Sequence, residues 1–513
     1  MRDLPDRLAR IMRVDPGAAA IHTITATHSW SWVLACTDQL VRALEELGVP
    51  DAGSVGMILR NRPEHVAALI ASVSARRCVV SLSPLTSDST LSAQVRATPC
   101  HIVLAASDDW ARPGLLEAVR ESGAAGFELP TGGTGGLRPR VPPPDRRRGD
   151  ALVAPGVLAT VFTSGTTGTP KRVPIATSDF EAAVSAASQH SGSSQDGSGE
   201  PQLGTAVTIV SMPLAHISGL WGVVSAAAAG RRIAVLERFE ARQWAEMVRR
   251  YRPAVANLQP TPIRMVLDAG IPPEWLASLR AVLVGTAPLD PVVADEFTAR
   301  YGIPTLTMYG ATEFAGAVAA WTLSDYRQWW SAKRGSVGRA YPGVDLRVVD
   351  ASGGDVLEAD RSGLLEVRLH SRGGDDWLRT TDVGRIDGDG FLWIEGRADN
   401  AINRGGFKVL PSSIEAALRA HPEVSDAAAV AIADHRLGQV PVAAVVGKTG
   451  AHPDEGDLLL WCRDRLAAYE VPVRIAVLAE LPLTPTMKVD RTQLRRFFED
   501  SSDRSVDLRA RSG

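Results

Sequence analysis

The chain has 513 residues, 45% of them hydrophobic and 22% charged, with a formal net charge of −3. That balance is ordinary for a soluble globular protein of more than one domain, and it argues against a dedicated nucleic-acid binder, which usually draws its affinity from a strong basic excess. Four cysteines, Cys36, Cys78, Cys100 and Cys462, have neither metal-ligand nor redox spacing, so free thiols in a reducing compartment are expected.

The first segment, "MRDLPDRLARIMRVDPG", carries charges throughout and lacks the apolar core of a signal peptide. No run approaches the ~20 apolar residues of a membrane span, so a cytoplasmic protein without stable membrane anchoring is expected. From about Asp51, "SVGMILRN", "PEHVAALIASVSAR", "CVVSLSP" and "HIVLAAS" read as strand, helix, strand and strand, the helix opening at Pro63, a favoured first-turn position. Apolar strands alternating with helices predict α/β layers around a largely parallel sheet. The segments 131–150 and 191–200, rich in Gly, Pro, Ser and charge, read as flexible surface, and the tail 501–513 as disordered. Between the first two, "VLATVF" reads as a buried strand, and the Ala-rich run 226–229 as helix. Near residue 398 the pattern changes. A polar, Gly-containing turn leads into an amphipathic helix with Ile414 and Leu418, two strands around a turn, a helix in "DLLLWCRDRLAAY" and a strand in "RIAVLAELP". That is enough for a small α+β domain over 398–500, behind a large domain over 1–397.

The strand "VLATVF" delivers the loop "TSGTTGTPK", Thr163 to Lys171, at its C-terminal end, where open α/β sheets bind ligands. Small residues let backbone N–H groups and hydroxyls wrap an anion, so phosphate is one reading and a Gly-rich surface turn the other. A Walker loop is excluded, because five residues after Gly165 comes Pro170 and Lys171 is followed by Arg172. No Gly-x-Gly-x-x-Gly opens a helix after a strand, which removes support for a dinucleotide site. The ten histidines form no close pair at helical spacing, so a metal, if used, is expected to be Mg²⁺ on carboxylate and phosphate oxygens. Only five of the 55 basic residues are lysines, which makes each one a candidate for a special role.

Further stretches follow in order: "MPLAHISG" (212–219), "GTAPL" (285–289), "YGATE" (309–313), "RTTD" (379–382), "GR" (396–397), "RGGFKVLPSSIEAAL" (404–418) and "LPLTPTMKVDR" (481–491). With "TSGTTGTPK" they make a chain that, over nearly its whole length, resembles the adenylate-forming superfamily of acyl-CoA synthetases, peptide-synthetase adenylation domains and luciferases. The resemblance implies a large N-terminal domain of two α/β subdomains plus a small β-barrel, and a small mobile α+β domain above the active site. It also implies a two-step reaction. An acid attacks the α-phosphate of ATP with Mg²⁺ present, pyrophosphate leaves, and a thiol, usually that of coenzyme A, displaces AMP from the acyl-adenylate.

By the same resemblance, Thr163, Ser164, Gly165, Thr166, Thr167, Gly168 and Lys171 grip the β- and γ-phosphates. Thr312 contacts the α-phosphate and Glu313 ligates Mg²⁺. Gly285, Thr286, Ala287, Tyr309 and Gly310 wall the adenine pocket, Asp382 and Arg397 hold the ribose, and His216 gates the acyl pocket. Asp399 is the hinge, and Lys488 reaches the α-phosphate when the small domain is closed. These assignments suit the chemistry, since attack of one anion on another needs the phosphates neutralised and the reacting oxygen held in line.

Four positions depart from the family pattern. Thr381 and Met487 stand where glycine is usual, Asn403 where some members carry a lysine used in the second step, and Gln439 where glutamate is frequent. They leave the adenylation set intact and the second nucleophile open. The leading expectation is a carboxylic acid–CoA ligase. The alternatives are transfer to the thiol of a separate carrier protein, transfer to an amine, nitrite activation for diazotisation of an aryl amine, or a non-catalytic nucleotide-binding regulator.

Overall fold

The structure is a computed structural model that describes the chain except residues 1–2, 133–135, 145–152, 164–170, 193–198, 351–353, 406, 485–486 and 510–513. It divides into two compact units, Met1–Asp345 with Leu369–Asp375, and Leu346–Arg368 with Asp376–Gly513.

The first unit contains a seven-stranded sheet in the spatial order Arg138–Val141, Ala125–Glu128, Ile102–Ala105, Ser54–Ile58, Cys78–Leu82, Val157–Thr163, Lys171–Ala176. Its five inner strands run parallel and the two edge strands antiparallel. Ser54–Ile58 and Cys78–Leu82 are buried at every residue, as strands covered on both faces must be, which is why they read as unbroken apolar runs. Helix Pro63–Ser74 begins with Pro63 in its first turn, as the sequence predicts. A further helix, Asp88–Ala97, stands between the strands Cys78–Leu82 and Ile102–Ala105, where the sequence reading places strand directly after strand. Its polar residues hide its period, but Ser87 caps it and Leu91 and Val95 are buried. Within the segment 131–150, predicted flexible, Arg138–Val141 pairs as an edge strand and buries Val141; residues 133–135 and 145–150 of that segment, and 193–198 of the other, lie outside the described residues.

Two smaller sheets complete this unit. One orders Val207–Val210, Arg232–Val235, Ala19–His22 and Thr27–Ser29; the other orders Val255–Leu258, Ala281–Val284, Thr305–Ala311, Gly316–Ala320 and Arg339–Ala340. The Ala-rich run ends the helix Ile217–Ala228, whose residues are mostly buried. Three of the four thiols are held protonated by their surroundings: burial pushes those of Cys36, Cys78 and Cys462 up to about 11.

In the second unit, Val344–Val349, Gly363–Leu369, Leu378–Ile386 and Leu392–Arg397 form a four-stranded sheet. It falls mostly with the C-terminal residues, whereas the sequence reading divides the chain at 397/398. The contact is local: the Ser412 hydroxyl donates to the Glu395 carbonyl, and helix Pro411–Arg419 packs on strand Leu392–Arg397. The rest is a sheet of Phe407–Val409, Ile402–Arg404, Gly438–Gly447, Val424–Asp434 and Ile475–Leu478, with helices Pro411–Arg419 and Glu455–Arg463. Ile414 and Leu418 are fully buried, as their helical spacing predicts. Helix Arg491–Arg509 carries regular structure past Ser501, into the stretch that composition assigns to a disordered tail.

Candidate active site

The sequence-predicted residues divide between the two units, and each group has its own local geometry. In the first unit, strand Val157–Thr163 pairs in parallel with Cys78–Leu82 and antiparallel with Lys171–Ala176, which sets Thr163 opposite Lys171. Strand Val157–Thr163 is an inner parallel strand, so Thr163 lies at the C-terminal end of the sheet. Ser164, Gly165, Thr166, Thr167 and Gly168 lie outside the described residues. Lys171 begins the edge strand as an exposed residue.

That edge strand lies against the short turn Thr312–Phe314. The turn presents the exposed side chain of Glu313 and is tied down through its backbone: Arg372 Nη2 donates to the Glu313 carbonyl at 2.7 Å. The same guanidinium donates from Nε to Asp179 Oδ2 at 3.0 Å, on the first turn of helix Thr177–His190. Lys171 and Glu313, widely separated in sequence, thus come from adjoining elements. Arg372, which no motif marks, fixes the second of them.

Glu313 stands at the tip of the hairpin formed by Thr305–Ala311 and Gly316–Ala320, with Tyr309 opposite Ala319 and Gly310 opposite Ala317. A Cβ at Gly310 would lie 2.3 Å from the Gly316 carbonyl oxygen, so only glycine lets the two backbones approach this closely. Parallel pairing of Val284 with Thr307 places the Gly285–Ala287 loop beside this hairpin, and a Cβ on Gly285 would meet Met308 at 3.0 Å. Thr286 has a φ of 72°, a left-handed conformation that is costly for a β-branched residue and clusters at functional loops.

His216 precedes helix Ile217–Ala228 at the end of a loop locked from behind. The Asn61 side-chain amide donates to the carbonyls of Met212 at 2.9 Å and Leu236 at 3.0 Å, and its oxygen accepts from the Leu214 N–H at 2.9 Å. The Ser81 hydroxyl donates to the Ala215 carbonyl at 2.8 Å. Gly219 permits the helix to press on this loop, since a Cβ there would sit 2.2 Å from the Pro213 carbonyl oxygen. One turn on, Trp221 Nε1 would lie 3.3 Å from a Cβ at Gly316, so the His216 helix borders the Glu313 hairpin. The His216 helix, the Gly285–Ala287 loop and the Glu313 hairpin are therefore neighbours in this unit.

In the second unit, Asp382 and Arg397 are register partners on adjacent antiparallel strands. Arg397 grips Asp399 bidentately, Nε to Oδ1 at 2.9 Å and Nη2 to Oδ2 at 2.6 Å. The Thr381 hydroxyl closes the group, accepting from Arg397 Nη2 at 2.8 Å and donating to Asp399 Oδ2 at 3.3 Å. Lys488 sits in a tight turn in which its N–H donates to Thr484 Oγ1 at 3.2 Å and its carbonyl accepts from the Thr484 N–H at 2.6 Å. Burial pushes its ammonium below the ordinary lysine value and the positive Arg397 pushes the same way, although the residue as a whole is exposed. Met487 before it has a φ of 59°, so the glycine-like backbone persists without the glycine. Two departures also meet here, as the Asn403 N–H donates to Gln439 Oε1 at 2.9 Å.

Residues 8–371 match the profile of the AMP-binding enzyme family, and residues 413–488 that of the AMP-binding enzyme C-terminal domain. The chain belongs to the AMP-binding enzyme family. Among relatives in this family, 4-coumarate–CoA ligase-like 2 of Arabidopsis thaliana is 31% identical over 66% of this chain and 61% of its own length. Indoleacetate–CoA ligase of Aromatoleum aromaticum is 27% identical over 96% of this chain and 98% of its own length. The matches to the first three curated relatives span only 61%, 62% and 65% of those proteins. Among solved structures, amide bond synthetase McbA from Marinactinospora thermotolerans superposes with a TM-score of 0.79 at 26% identity, covering 97% of this chain and 100% of that one. The adenylate-forming fold expected from the motifs is thus the fold observed.

Proposed function

We propose that this AMP-binding family member is an ATP-dependent ligase that adenylates a carboxylic acid and passes the acyl group to coenzyme A, releasing AMP and pyrophosphate. The observation that carries the reading is the adjacency, in one unit, of the Lys171 strand, the Thr312–Glu313 turn and the Gly285–Ala287 loop at the C-terminal ends of their sheets. A lysine and a hydroxyl-rich loop supply positive charge and donors for the departing phosphates, Thr312 a hydroxyl for the α-phosphate, and the loop and Tyr309 an apolar wall for the base. Asp382 would accept from ribose hydroxyls and Arg397 donate to them. His216, at the head of its helix, would border the acid.

The donor set fits Mg²⁺, a hard cation that takes one or two carboxylates and otherwise phosphate and water oxygens; Glu313 offers an exposed carboxylate from a fixed backbone. When bound, the ion would supply charge neutralisation at the phosphates. Lys488 would bring its positive charge to the attacking carboxylate and the α-phosphate during adenylation, and Asp399 would mark the pivot for the second step.

A second reading keeps adenylation and changes the acceptor to an amine, a carrier-protein thiol or, with nitrite as the activated oxyanion, an aryl amine. Asn403 and Gln439 favour it: they stand where some family members carry a lysine used in the second step and where glutamate is frequent, with Gln439 Oε1 accepting from the Asn403 backbone N–H, and McbA is named for amide bond synthesis. A panel of aryl, fatty and amino acids and nitrite, each with MgATP and with or without CoA or amines, tests both by product mass. Acyl-CoA supports the first reading, an amide or diazo product the second. Absence of AMP formation across the panel contradicts adenylation.

A further inference from the structure

The Arg397–Asp399 pair sits at a junction. Arg397 ends strand Leu392–Arg397, and Asp399 lies in the turn Ala398–Asn400 that leads into the C-terminal sheet. The bidentate grip aims the guanidinium toward the turn. Such exposed pairs are weak by themselves, because solvent competes for each partner and long side chains lose entropy on pairing. Arg397 is about half exposed at 49%, so water competes with Asp399 for its guanidinium.

Thr381 provides the restraint. It comes from the neighbouring strand Leu378–Ile386, one residue before Asp382, and its hydroxyl is used in both senses. It accepts from Arg397 Nη2 at 2.8 Å and donates its single proton to Asp399 Oδ2 at 3.3 Å. Both bonds involve a charged partner, the kind worth more than a neutral bond. The backbone beneath is held as well: Thr380 Oγ1 donates to the Leu365 carbonyl at 2.8 Å and accepts from the Asp382 N–H at 3.0 Å. Strand, arginine and turn therefore form a closed ring of hydrogen bonds that a glycine at 381 cannot make.

We infer that Thr381 is a positioning residue for nucleotide recognition, holding the Arg397 guanidinium against Asp399 in the rotamer that meets the ribose. The inference rests on the proposed adenylation reading. It acts through Arg397, so its loss should be felt at the ribose hydroxyls and not at the base or the phosphates. The side-chain methyl adds nothing to the ring, so serine should replace threonine and valine should not.

Titration calorimetry with ATP, 2′-deoxyATP and 3′-deoxyATP at fixed Mg²⁺ tests this without knowledge of the acid. Wild type should prefer ATP over at least one deoxy analogue. Thr381→Gly and Thr381→Val should shrink that preference about three- to tenfold, the range of a typical net hydrogen bond, because the loss reaches the ribose only through Arg397. Thr381→Ser should retain it. A preference unchanged in the glycine and valine variants, or lost equally in the serine variant, overturns the role of the hydroxyl. ATP and both analogues weakening in parallel, with the preference unchanged, marks a structural role and overturns it too. Failure of wild type to bind ATP contradicts the adenylation reading itself, and the inference falls with it.

Discussion

Gly310→Ala is the smallest change that should disable the first unit's site while leaving its fold in place. The added carbon would lie 2.3 Å from the Gly316 carbonyl oxygen and 2.6 Å from Ala317 Cα, both backbone atoms that cannot rotate away. Packed interiors do not sustain such contacts, so the two hairpin strands must part by about 1 Å. Overpacking of this kind costs ~1–3 kcal/mol, a tolerable loss for a half-buried hairpin continued by a paired third strand. The functional loss should be larger. The same displacement moves Tyr309, Thr312 and Glu313 off their positions, and ~1 Å of misplacement costs on the order of 100-fold in rate. Acid-dependent ATP–pyrophosphate exchange should fall by about that factor, while circular dichroism stays native and the melting temperature drops modestly. Gly388→Ala, where an added Cβ meets nothing within 4 Å, is the control and should change neither. Exchange within threefold of wild type in a stably folded Gly310→Ala protein would refute the claim that this hairpin holds the site.

Asn61→Ala should lower stability by about 3 kcal/mol, because it strands three buried backbone groups that each cost ~1–3 kcal/mol, less what entering water restores; a denaturant midpoint shift worth under 1 kcal/mol would contradict the lock on the His216 loop. Lys488→Ala should cut adenylation ~100–1,000-fold yet leave conversion of a supplied acyl-adenylate near normal, and equal loss in both steps would argue against a lysine used in one of them. Because the folded value of Lys488 is lowered, its charge is lost as pH rises, so adenylation should decline at a pH below the ordinary lysine value of 10.5; an alkaline limb at or above that value would contradict the lowered value. Burial also pushes His65 down from 6.5 to about 3, so between those values the unfolded chain binds the extra proton and stability falls as pH drops. From pH 6.5 to 5 wild type should lose about 1.6 kcal/mol that His65→Gln does not, read from denaturant midpoints by tryptophan fluorescence.

What could be read from sequence was local. The strand Val157–Thr163 was legible because an apolar run ends in hydroxyls and glycines, and the C-terminal helix because Ile414 and Leu418 recur at helical spacing. Helix Asp88–Ala97 was not, since serines and a threonine interrupt its period and its burial comes from partners elsewhere in the chain. The residues that hold the site in place were also hidden. Asn61 acts on a loop some 150 residues away and Arg372 joins Asp179 to Glu313, and neither carries a local pattern. Met487 shows the converse: the sequence marks a missing glycine, while the backbone keeps the left-handed turn that a glycine would favour. Thr381 was legible only as a departure; that its hydroxyl joins Arg397 to Asp399 needed the geometry of two strands and a turn.

The central claim is that an acid oxygen attacks the α-phosphate of ATP. With the substrate found in the acid panel, labelled with ¹⁸O at its reacting oxygens, turnover should place one label in the phosphate of AMP, seen by mass spectrometry or as an isotope-shifted ³¹P resonance, and none in pyrophosphate. Label in pyrophosphate or inorganic phosphate, or unlabelled AMP at full turnover, would contradict the account.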